Sequence, residues 1–140
     1  MATRWQRPTV DTKLHIDMTW WEENNRDIRV YIRELLCDEC RAECLDYQDQ
    51  QYVDAIDDQT GEVHRVDGLW HCLRTCCGSK PGYIAPDAPI VDAAFRTFLA
   101  NGNEPLSPRE LHASLGHPSP SMLLQVFTRG PVYMGIRPVR

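Results

Sequence analysis

Leu36-Cys37-Asp38-Glu39-Cys40 and Trp70-His71-Cys72-Leu73-Arg74-Thr75-Cys76-Cys77 hold five of the six cysteines of the chain, and Cys44 lies four residues beyond Cys40. A Cys-x-x-Cys turn aims two sulfurs the same way, so it can supply half of a tetrahedral metal shell. The other half must come from elsewhere in the chain. Cys72 and Cys76 are spaced i and i+4, which puts them on one helical face. The expected ligands are therefore Cys37, Cys40, Cys72 and Cys76 around one structural zinc ion. Cys77 is the main substitute, because an unwound helix end can turn the adjacent Cys76 and Cys77 inward. His71 and Cys44 are further substitutes.

A redox couple is the rival reading of Cys-x-x-Cys. That chemistry wants the pair at a helix N-terminus, which stabilises thiolate. The sequence instead places the pair at the C-terminal end of a long helix. Disulfides need an oxidising compartment. The opening residues have no apolar core of a secretion signal and no run is long enough to span a membrane, so the chain reads as cytoplasmic.

At 140 residues the chain fits one domain or two very small ones. Small cores need a staple, and a metal is one. The net charge is −5, distributed unevenly. Residues 1–82 hold 10 Lys and Arg against 16 Asp and Glu, while residues 83–140 hold 5 against 4. Neither part has the cationic excess that non-specific phosphate binding relies on.

A strand is expected at Thr12–Ile16. Thr19-Trp20-Trp21-Glu22 fits a capping box and opens a helix that runs to Leu36. Its apolar stripe holds Trp20, Trp21, Ile28, Tyr31, Ile32, Leu35 and Leu36, and reads as core. Asp46, Asp49, Asp54, Asp57 and Asp58 read as a solvated acidic face. Gln51–Ile56 and Glu62–Val66 form a hairpin around a turn ending at Gly61. A short helix spans Leu69–Cys77 and stops at Gly78 and Pro81. Helix, Cys-x-x-Cys turn, hairpin and cysteine-bearing helix resemble a zinc-ribbon or treble-clef finger. The departure is that Cys72 and Cys76 lie in the body and end of the helix, whereas treble-clef ligands lie at its start.

A proline-rich link at residues 80–89 suggests a boundary, with domains at 1–82 and 83–140. Three helices follow. Pro89–Ala100 carries an apolar stripe and ends at Asn101-Gly102. Ser107-Pro108-Arg109-Glu110 is a capping box with Pro at the first helical position, and its helix stops at Gly116. Ser119-Pro120 opens a third helix, to Arg129-Gly130, and Val132–Val139 reads as a strand. Residues Leu106 to Phe127 resemble the helix-turn-helix of the winged-helix superfamily. The expected class is α+β: a small zinc-stapled helix-hairpin-helix unit followed by a three-helix winged-helix-like domain.

That resemblance implies duplex DNA binding by the third helix through Ser119, Ser121, Gln125 and Arg129, with Arg109, His112 and His117 near phosphates. The chain departs from the superfamily in two ways: the third helix holds one basic residue, at its end, and the wing is short. Winged helices also serve as protein-docking modules, so a protein partner is the alternative. No Ser/His/Asp set or Gly-rich phosphate loop argues for an enzyme, and a shell of four thiolates leaves no open coordination position. A small non-enzymatic regulator is the expectation.

Overall fold

A computed structural model describes residues 7–43, 52–56 and 59–139, without the side chains of residues 43, 52–55 and 64–67. Cys44, Asp46, Asp49, Asp57, Asp58 and Arg140 lie outside the described residues. Strand β1 is Leu14–Ile16; α1 is Met18–Glu23, α2 Ile28–Leu35 and α3 Asp38–Glu43. Strands β2, Tyr52–Ile56, and β3, Val63–Asp67, form the expected antiparallel hairpin, with Ile56 opposite Val63 and Tyr52 opposite Asp67. Next come α4, Gly68–Thr75, and a 3-10 turn at Cys77–Ser79. Then follow α5, Ile90–Ala100, α6, Pro108–Leu115, α7, Pro120–Thr128, and β4, Ile136–Pro138. Helices and small sheets mix as the α+β reading expects.

The long first helix is broken in two. Asn25 adopts φ 53, a left-handed conformation that Asn tolerates better than most residues. Asp27 then starts α2 by accepting the Arg29 amide at 2.9 Å. The expected cap Thr19 is also displaced: Asp17 caps α1 and accepts the Thr19 amide at 2.9 Å. The stripe nevertheless faces as expected, with Trp21, Ile28, Ile32 and Leu36 buried.

β1 pairs antiparallel with β4, Leu14 opposite Pro138 and Ile16 opposite Ile136. On its other side Leu14 bridges Leu106, which lies between α5 and α6. The Asn103 side-chain amide extends this edge: it accepts the Ile16 N–H at 2.8 Å and donates to the Ile16 carbonyl at 2.9 Å. The N-terminal arm is thus a strand of the C-terminal part.

Packing also crosses the expected boundary at residue 82. One buried cluster contains Trp21, Ile32 and Leu69 together with Phe95, Phe98 and Leu111. The proline-rich link is tied down as well. Tyr83 donates its hydroxyl to the Arg96 carbonyl at 2.8 Å, and Arg96 returns a bond to the Tyr83 carbonyl at 2.7 Å. Trp70 fastens α4 to α5 through the Leu99 carbonyl at 2.8 Å.

Candidate metal centre

Two chain turns build the centre. The first follows α2, whose C-cap Leu36 swings to ψ 142 and ends the helix. The chain re-enters a helix at once: the Cys37 carbonyl accepts the Arg41 N–H at 2.9 Å, so Cys37 sits at the N-terminal side of α3. The pair therefore opens a short helix instead of closing a long one. The helix-end argument against a redox couple loses its premise here. The second turn follows α4. Cys76 leaves helical geometry at φ −125, ψ −68, and Cys77 starts the 3-10 turn. Gly78 is required there by space, since a Cβ at that position would meet the Ala100 Cβ at 2.9 Å.

This unwinding delivers adjacent thiols. The sulfurs of Cys37, Cys40, Cys76 and Cys77 all lie within 4.8 Å of one another. Cys37 Sγ is 3.6 Å from Cys77 Sγ and 4.0 Å from Cys76 Sγ. For zinc–sulfur bonds of about 2.3 Å, the edge of a regular tetrahedron is about 3.8 Å. The residues present therefore fit one four-coordinate ion with a closed all-sulfur shell. Cys72, expected as a ligand, is not in this group: it is buried in the body of α4 and is disulfide-bonded, so it offers no thiolate. Cys77, the expected substitute, takes the place beside Cys76. No carboxylate or imidazole joins the four among the described residues.

The four thiols differ electrostatically. The Cys40 backbone N–H donates to the Cys37 sulfur; against some burial, that bond, with Lys80 and neighbouring thiols, brings Cys37 down to about 6. Burial pushes Cys40 and Cys77 up. The Cys37 N–H also donates to Cys77 Sγ at 3.3 Å. Such amide–sulfur bonds orient ligands and spread thiolate charge.

Lys80 was not singled out by its spacing. Its Nζ lies 3.2 Å from Cys37 Sγ and 3.2 Å from Glu39 Oε2. Glu39 is one of the two residues between Cys37 and Cys40, while Lys80 carries no motif signal of its own and reaches the pair from just past the 3-10 turn.

The residues expected to touch DNA are elsewhere. Ser119 caps α7 by accepting the Met122 amide at 3.2 Å. Ser119, Ser121, Gln125 and Arg129 are all exposed, along with Met122. Arg109 is exposed but paired with Asp11 at 2.9 Å. His112 Nδ1 lies 2.8 Å from the Pro118 carbonyl oxygen, and His117 is exposed.

No helix among the described residues is long and apolar enough to cross a membrane. Comparison of the chain with protein-family models, curated proteins and solved structures returns no significant match.

Proposed function

We propose that the chain is a small non-enzymatic regulator, stapled by one structural zinc ion, that binds duplex DNA through α7. The observation that carries the staple is the meeting of Cys37, Cys40, Cys76 and Cys77 within 4.8 Å, from turns some forty residues apart. A closed four-sulfur shell suits a structural ion, because a catalytic zinc keeps a position for water. Native and denaturing mass spectrometry of protein purified without added metal tests it. One zinc per chain in the native spectrum, absent after denaturation, is expected. Metal-free, folded protein would remove the staple and put thiol redox chemistry first.

The DNA reading is supported by element order and exposure. α5, the Leu106 bridge, α6, α7 and β4 follow the winged-helix order, with β1 inserted between the Leu106 bridge and β4. Ser121 and Gln125 are exposed four residues apart on one face of α7, and Arg129, the extended residue that ends the helix, is exposed just beyond it. The test is fluorescence anisotropy with a random-sequence duplex at two salt concentrations. Weak, salt-sensitive binding reduced by Arg129→Ala is expected. A specific observation favours a second reading, a protein-docking module. Arg109, Arg137 and Lys13 pair with Asp11, Asp17 and Glu110, and the net charge is −5. No DNA binding even at low salt would make that the better account.

A further inference from the structure

We propose that Lys80 is a positioning residue of the zinc centre, holding the Cys37 thiolate and governing how fast the ion is given up. The inference rests on the zinc reading above. Four thiolates around one dication leave a net charge of −2. Lys80 brings an ammonium 3.2 Å from one of those sulfurs, with Glu39 holding the same nitrogen from the other side. Its backbone is anchored to the ligand turn, since the Lys80 N–H donates to the Cys77 carbonyl at 3.2 Å. The ammonium is thus delivered by the segment that carries two of the four sulfurs.

The location of the contact matters as much as its charge. A cleft of about 220 Å³ opens beside the centre, lined by Cys37 and Cys77 with Lys80, Pro81, Tyr83 and Arg96 among its walls. Cys40 and Cys76 do not line it. Cys37 and Cys76 are the two partly exposed cysteines of the four, and of these only Cys37 opens on the cleft, so a small reagent entering there meets Cys37 beside Lys80. The other cation of the cleft is committed elsewhere, because Arg96 is held by Asp92 at 3.0 Å and the Tyr83 carbonyl at 2.7 Å. Hydrogen bonding and positive charge both withdraw electron density from a bound thiolate, lowering its nucleophilicity.

The test uses the full zinc-loaded chain and iodoacetamide. The Cys37 sulfur lone pair forms the new S–C bond, the C–I bond breaks, iodide leaves, and the alkylated sulfur no longer holds zinc as thiolate. Released zinc is read with a coloured chelator, and the first modified residue by peptide mass. Lys80→Met is expected to release zinc about tenfold faster, the low end of what loss of an outer-shell partner does to a metal site. Cys37 should be alkylated first, and Lys80→Arg should stay near the wild-type rate. The Lys80 side chain is 39% exposed, so zinc content and melting temperature should hold; Lys80→Gln, expected to match Lys80→Met, guards against a folding defect peculiar to one variant. Equal or slower release from the Met and Gln variants, or an Arg variant as fast as they are, overturns the proposal. A wild-type chain without zinc overturns the zinc reading itself, and that content is measured before any rate.

Discussion

Residues 90–139 and residues 28–80 are built by different rules. In the later segment α6 and α7 are each started by a side chain of their own N-cap. Ser107 accepts the Glu110 amide at 3.2 Å while the Glu110 carboxylate accepts the Ser107 amide at 3.1 Å. Ser119-Pro120 starts α7 in the same local way. In the earlier segment the decisive contacts are between turns some forty residues apart, among thiols that no local signal ranks. Local punctuation fixes where helices begin; it does not say which sulfurs meet.

The largest expected effect breaks the earlier segment. Cys40 is buried, and Cys40→Ser should abolish stable zinc binding and lower the melting temperature by roughly 15 °C, for a loss on the order of 5 kcal/mol. Chelation of the wild-type protein should do the same. An unchanged melting curve with zinc removed would mean that the ion does not hold the fold. The pH dependence has a definite sign. Cys40 and Cys77 are pushed up by burial, so at neutral pH both must lose protons to bind the ion. Zinc affinity should fall as pH falls, and calorimetry in buffers of different ionisation enthalpy should show release of about two protons or more. No proton release would contradict thiolate ligation.

The second test asks how separate the two segments are. Phe98 is fully buried in the cluster they share. Phe98→Ala should cost about 4 kcal/mol, and the earlier and later segments should still unfold in one transition. Two resolved transitions in the wild-type chain would support the boundary near residue 82 that composition suggests. Composition reads the linker correctly as proline-rich, but it cannot register that Tyr83 and Arg96 bind it to α5.

The third test is local to the later segment. Ser107→Ala removes one half of a complete capping box at a buried position and should cost about 1.5 kcal/mol, measured by urea denaturation. A cost near zero would mean that tertiary packing, not the cap, places α6. This is the part most legible in sequence. The caps at Ser107 and Ser119, the hairpin, and the firm pair Cys37 and Cys40 were all readable there. The break at Asn24-Asn25 was not, because two Asn residues inside an apolar period are permitted by helix and turn alike. Nor was the exchange of Cys72 for Cys77. It depends on where α4 unwinds, and Gly78 packing against Ala100 sets that stop.

The smallest expected effect concerns the seam between the two ends of the chain. Arg137 on β4 brings Nε to 2.8 Å and Nη2 to 2.7 Å from Asp17 Oδ2, while Asp17 Oδ1 accepts the Thr19 amide that starts α1. One carboxylate thus ties the first helix to the last strand. Burial alone would raise its pKa; the Arg137 hydrogen bonds and charge with the Thr19 amide outweigh that and lower it. A depressed folded value means the contribution is complete above the ordinary value of 3.8 and is lost as pH falls through the folded value. Both side chains are about four-fifths buried, yet two charges near water contribute little net energy. Arg137→Met, which keeps the apolar stem, should cost roughly 0.5–1 kcal/mol at pH 7. The wild-type and variant stabilities should converge below the folded value, where Asp17 is neutral. A difference that persists undiminished in acid would assign the role of Arg137 to packing against the seam and not to its charge.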